Sequence, residues 1–370
     1  MAHAVQAQDF KVLYKFTDSN IGWGPVAQML VHSGSLYGVT AGGGTSGWGT
    51  VFQVDIGTGQ ETVLHDFAGQ PSDGLDPWAA LIRDPAGNLY GATNNGGPTG
   101  PPYGNGIVFK VDSFGTETVL HYFTGSDGAN PYGIVRDTAG NLYGAAAGGG
   151  DPDGQGTVFK LDAAGNLTTL HYFTDSPDGA TPEFLLLEKD SLYGTTVNGG
   201  AGGGTVFKLN PGSGEMALLY SFTGGADGDA PCAFTSDGAG NLYGVTLYGG
   251  NQFAGSGAGV VFMVNVATGH ETVLHTFTGP DGANPYAGLV RDAQGNLYGT
   301  TRAGGLYNQG TVFQLNPSGA LTVLHHFTGG IDGSYPNGGV VLGPNGNLYG
   351  AAMGGKHGFG TIYGIVIPRE

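Results

Sequence analysis

The chain has 370 residues, a formal net charge of −17 and one cysteine, Cys232. Its 12 basic residues are scattered singly, which argues against nucleic acid or an anionic membrane as partner, since both need clustered Lys and Arg. A lone thiol excludes an intramolecular disulfide and a Cys-rich zinc site, the 75 glycines keep no collagen-like period of three, and no apolar run is long enough for a transmembrane helix.

Residues 1–9 read as a tail. Ala4-Val-Gln-Ala7 has the small-x-x-small character of the end of a secretory signal peptide, which points to a secreted or cell-surface protein. The first predicted strand is Phe10-Lys-Val-Leu-Tyr-Lys-Phe16. From there Leu-Tyr-Gly recurs seven times, at Leu36, Leu89, Leu142, Leu192, Leu242, Leu297 and Leu348, spaced 50 to 55 residues apart. A near-constant period of that length marks a repeat architecture.

The sixth copy shows the unit most clearly. Pro285-Tyr-Ala-Gly-Leu-Val-Arg, Asn296-Leu-Tyr-Gly-Thr-Thr, Gly310-Thr-Val-Phe-Gln-Leu-Asn and Leu321-Thr-Val-Leu-His-His-Phe are short and rich in β-branched and aromatic residues. Asp292-Ala-Gln-Gly joins the first two and Asn316-Pro-Ser-Gly the last two; both have tight-turn composition. Four strands per repeat make an antiparallel meander, apolar on both faces, and seven such sheets cover one another by packing radially. After the seventh Leu-Tyr-Gly only a third strand follows, Gly360-Thr-Ile-Tyr-Gly-Ile-Val-Ile. The missing fourth is Phe10–Phe16, which matches Leu321–Phe327. The expected fold is therefore an all-β, seven-bladed β-propeller over residues 10–370, closed by its N-terminal strand.

The strings GNLYG, GTVF, TVLH and DGANPY resemble those of bacterial extracellular tandem-repeat proteins of the GloVer-containing, choice-of-anchor type, and the resemblance covers residues 10 to 367. It implies an extracellular repeat protein and transfers no catalytic residue. The ending Ile365-Val-Ile-Pro-Arg-Glu carries no anchor, which implies a released member or an anchor left out of this chain.

In a propeller the first strand of each blade lines the channel, and the long loops share one face, where a site is expected. An Asp-Gly-x-x-Pro pattern recurs there at Asp127, Asp178, Asp227, Asp281 and Asp332, with Asp73 in a variant; a residue repeated in this way reads as a turn cap. The residue after the proline varies: Trp78, Tyr132, Glu183, Cys232, Tyr286 and Asn337, with Val26 as the first-blade equivalent. The aromatic rings there suit a sugar, with packing against a neighbouring blade as the equal alternative. Loops between the second and third strands add Trp48, Tyr103, Tyr248, Phe253, Tyr307 and Phe359. These loops lack a phosphate-cradling motif. Arg302, Lys356 and His357 fall on blades 6 and 7, opposite Glu183, Asp151 and Asp153, and this asymmetry reads as chance surface charge or as a means of orienting an acidic sugar.

His65, His121, His171, His275 and His325 occupy one position of the outermost strand in different blades and read as structural. No metal site or cofactor is expected, apart from calcium at Asp151-Pro-Asp-Gly, which has only part of a calcium loop. Cys232 reads as a small buried thiol.

Three functions follow. The leading one is a secreted, monomeric propeller that binds a glycan through Trp78, Tyr132, Tyr286, Asn337, Trp48, Tyr103 and Tyr248. The second is a polysaccharide-cleaving enzyme at the same face. A lyase would use Arg302 with His357 or Tyr307; a hydrolase would pair Glu183 with Asp229 or Asp178. The third is a structural cell-surface repeat with no small ligand.

Overall fold

The computed structural model describes residues 9–100, 103–150, 153–250, 255–355 and 358–368. These form seven antiparallel blades. Blades 3, 4 and 5 carry continuous inner strands, Ala129–Arg136, Ala180–Glu188 and Asp229–Ser236. Elsewhere the inner strand is short or broken. Blade 6 retains only Val290–Arg291 of the expected Pro285–Arg291. Even in blades 3 and 5 the register shifts after the proline, between Pro131 and Ile134 and between Pro231 and Phe234. Proline donates no ladder hydrogen bond, so the strand bulges where it enters the channel.

Phe10–Lys15 pairs antiparallel with Thr361–Ile365, from Phe10 opposite Ile365 to Lys15 opposite Thr361. The N-terminal strand thus completes blade 7 and closes the ring.

The recurring motifs have local causes. In the turn before four of the five Asn-Leu-Tyr-Gly copies, an aspartate binds the asparagine and the tyrosine together; in blade 7 Asn345 takes its place. Asp84 accepts from the Asn88 amide at 2.9 Å, its side chain at 2.8 Å and the Tyr90 hydroxyl at 3.1 Å. Asp137, Asp237 and Asp292 do the same in blades 3, 5 and 6. The glycine that follows lies over the Gly-Thr-Val-Phe phenylalanine. A Cβ on Gly299 would come within 2.7 Å of both Leu289 and the Phe313 ring.

Each junction between blades repeats two contacts. The phenylalanine ending an outer strand meets the aromatic ring of the next blade's third strand. There are seven such pairs, from Phe16–Phe52 round to Phe327–Tyr363, with centroids 5.0–5.4 Å apart. Edge contacts of this kind add about 0.5–1.5 kcal/mol each beyond burial. The second contact is a backbone latch. The residue before each proline is left-handed: Gly24, Asp76, Asn130, Thr181, Ala230, Asn284 and Tyr335 have φ of +54° to +65°. Its amide donates 2.8–3.1 Å to a backbone carbonyl of the preceding blade. The proline ring then rests on the preceding blade's Gly-Thr-Val-Phe glycine; a Cβ on Gly310 would sit 2.7 Å from Pro336 Cδ. Pre-proline residues ordinarily avoid the helical regions of the backbone, so this strain is held in place by the latch.

Candidate functional site at the channel mouth

The latch sets where the next residue goes. Each proline is pinned against the neighbouring blade, and the residue after it is delivered to the channel mouth. Val26, Trp78, Tyr132, Tyr286 and Asn337 line one cavity of about 240 Å³. Deeper in, Ile134, Phe184, Leu186, Phe234 and Leu289 make its wall largely apolar.

The mouth is cross-linked by polar groups from non-adjacent blades. Glu183 of blade 4 is buried, with 8% of its surface exposed. Burial pushes its carboxyl up to about 7, against a hydrogen bond from Tyr286 that favours the ionised form. Tyr286 of blade 6 and Tyr132 of blade 3 lie beside each other and beside Glu183 of blade 4. Desolvation, followed by the charge of Glu183, raises both phenols. Asn94 lies beside Tyr132, and Asp76 Oδ1 accepts 2.9 Å from the Trp78 indole and fixes the ring. Asn337 Nδ2 contacts Met353 Sδ at 2.8 Å.

Three acceptors in this group, Glu183 Oε2, Asn94 Oδ1 and Asn337 Oδ1, are buried without a hydrogen-bond partner. Buried acceptors are seldom left unpaired, because desolvation without a partner costs about 1–3 kcal/mol. Of the three, Asn337 lines the cavity. Asn94 was not among the candidates from the sequence. It lies beyond the second strand of blade 2, outside the repeat position that signalled the others, and only the shared motif Thr93-Asn-Asn-Gly hinted at a difference.

The loop aromatics form a separate, outer ring. Trp48, Tyr103, Tyr248 and Tyr307 are 40%, 55%, 37% and 56% exposed. None of them lines the cavity. Arg302 is exposed on the same blade as Tyr307, while its amide donates 3.0 Å to Asn284 O. His357, Lys356, Asp151 and Phe253 lie outside the described residues, as do Met1–Gln8 of the expected tail. Asp153 is exposed, and burial removes Glu183 from any acidic surface corner.

The carboxylates expected to pair differ in their surroundings. Asp229 is raised by desolvation, with Asp227 as its charged neighbour, and Glu183 is perturbed by burial and Tyr286 alone. Asp178 accepts from Thr174 N at 3.1 Å and pairs with His171 at 2.9 Å, so it caps its own turn. Asp127, Asp281 and Asp332 do likewise, with His121, His275 and His325 at 2.8, 2.8 and 3.0 Å. Tyr220 takes the histidine's place beside Asp227, at 3.1 Å. In Asp127, Asp178 and Asp281 burial raises the carboxyl, but hydrogen bonds from the His and Thr partners outweigh it and leave the group below the usual range. Cys232 is buried, and desolvation followed by the charge of Glu183 pushes its thiol well up, which makes it a poor nucleophile.

The Gloeobacter/Verrucomicrobia repeat profile matches residues 3–200, 98–256 and 191–369. No curated protein matches the chain. Among solved structures, the extracellular domain of a one-component system protein from B. thetaiotaomicron superposes with a TM-score of 0.61 at 12% identity. The match covers 96% of this chain and 40% of that one, so the chain spans about two fifths of that relative. An oligogalacturonate lyase from Vibrio parahaemolyticus gives 0.61 at 13% identity, covering 98% of each chain. A 6-phosphogluconolactonase from Bacteroides uniformis gives 0.57 at 18%, covering 86% and 90%. At such identities these likenesses show the fold alone.

Proposed function

The chain belongs to the Gloeobacter/Verrucomicrobia repeat family, and from that premise we propose that it is an extracellular propeller that binds a neutral glycan at the channel mouth. The observation that carries the reading is one cavity lined by the Trp78, Tyr132 and Tyr286 rings together with Asn337, whose Oδ1 is buried without a partner. A sugar has hydroxyl donors on its edges and an apolar face for stacking, which matches both features. A cavity of about 240 Å³ is below the ~300–1,000 Å³ usual for drug-sized ligands, so it admits a single ring or a chain end. Longer polysaccharide would then run outward over Trp48, Tyr103, Tyr248 or Tyr307. Among the described residues no basic side chain lines the cavity, which favours neutral sugars over uronates.

Catalysis is the second reading, and Glu183 favours it. A carboxyl held near pH 7 beside a tyrosine has the properties of a general acid. Asp178, one of its candidate partners, is engaged with His171 and Thr174, which weighs against a hydrolase built on that pair.

Calorimetric titration with neutral and uronate-containing oligosaccharides, with reducing ends and absorbance near 235 nm followed in parallel, tests both readings. Binding of neutral oligosaccharides, weakened roughly tenfold in Trp78→Ala and retained in Glu183→Gln, supports the module. New reducing ends that vanish in Glu183→Gln would make this an enzyme. No heat with any sugar would leave a structural repeat.

A further inference from the structure

The outer edge of the ring carries a second cluster, independent of the channel. The first residue of an outer strand differs from blade to blade: in blades 1 and 5 it is Glu61 or Glu271, whose charge acts on Tyr14 or Tyr220 of the preceding outer strand. At the junction of blades 6 and 7 that residue is Phe10, whose ring stacks on His325 at 3.7 Å. At the junction of blades 1 and 2 it is Glu117, and there a histidine, an aspartate and a glutamate coincide. The ligand atoms of His65, Asp73 and Glu117 all lie within 4.8 Å of one another, and among the described residues no other such group forms.

Two details set this junction apart. The His65–Asp73 separation is 3.5 Å, against 2.8–3.0 Å for the other His–Asp pairs. His65 Nε2 is buried without a hydrogen-bond partner, whereas the other four histidines of this position pair theirs with an aspartate; Glu117 Oε1 is unpaired too, as are Glu61 Oε1 and Glu271 Oε1 at the equivalent place in blades 1 and 5, but only Glu117 meets a histidine and an aspartate. We infer that His65, Asp73 and Glu117 form a site for a divalent transition-metal ion that staples blade 1 to blade 2. One imidazole and two carboxylates suit zinc or manganese; calcium prefers more oxygen ligands.

The test uses the whole chain, stripped with chelator and titrated with ZnCl2, MnCl2 and CaCl2 by calorimetry and thermal melting. The expected result is one equivalent of zinc or manganese bound, with a rise of about 3 °C in Tm when the ion is at roughly a hundred times its Kd. Glu117→Leu restores the kind of apolar cover found at other junctions, so it should fold and lose both responses; His65→Gln should lose them too. Cobalt(II) absorption should show His65 ligation in the wild type and not in His65→Gln. The inference is overturned if the wild type takes up no zinc or manganese, or if its response persists unchanged in a folded Glu117→Leu variant.

Discussion

Two neighbouring positions behave in opposite ways round the ring. The prolines at 25, 77, 131, 182, 231, 285 and 336 occupy the same place in every blade, each resting on the glycine of the blade before it. The next residue is Val, Trp, Tyr, Glu, Cys, Tyr or Asn. One peptide bond separates a position where symmetry is complete from one where it is absent. The proline bears the junction and the channel residue does not, so the first must repeat while the second is free to differ. In this protein, departures from the repeat locate the site better than any residue type does.

That contrast is best challenged where the frame is tightest. Gly299→Val places carbon against Leu289 and Phe313 and is expected to cost about 3 kcal/mol, read as a sharp fall in Tm. An unchanged melting point would show that the frame yields more than the close packing implies.

The mouth should respond to pH where the frame does not. Glu183 has a folded pKa raised to about 7 by burial, so its stabilising effect is full below the unfolded value near 4.3 and is lost as pH rises through 7. Glu183→Gln should therefore gain about 2 kcal/mol on the wild type between pH 4 and pH 8 in denaturant titrations. Parallel stability curves would mean that the carboxyl is solvated in solution.

A smaller effect separates binding from folding. Trp78→Ala should weaken glycan binding by about 1.5 kcal/mol, roughly tenfold in Kd, while Tyr307→Ala on the outer ring should change it less. The reverse order by calorimetry would move the site from the mouth to the loops.

The smallest change corrects a departure inside the frame. Tyr363 stands where six blades have phenylalanine, and its hydroxyl is buried without a partner. Tyr363→Phe should stabilise the ring by about 1 kcal/mol. A loss of stability instead would point to a bound water serving that hydroxyl.

The sequence by itself determined the blade count, the four-stranded unit and the closing strand Phe10–Lys15, because each rests on local turn chemistry and period-two burial repeated at fixed spacing. It also identified the aspartates and histidines as structural, since repetition itself was the clue. Tertiary structure alone decided what the unrepeated residues meet. Glu183 looked like a surface acid, and only the closed ring of blades buries it beside Tyr286. His65 looked like its four counterparts until the twist of blade 2 brought Glu117 against it. Contacts between blades join residues about one repeat apart in sequence, and no local propensity encodes which side chains arrive on the other side.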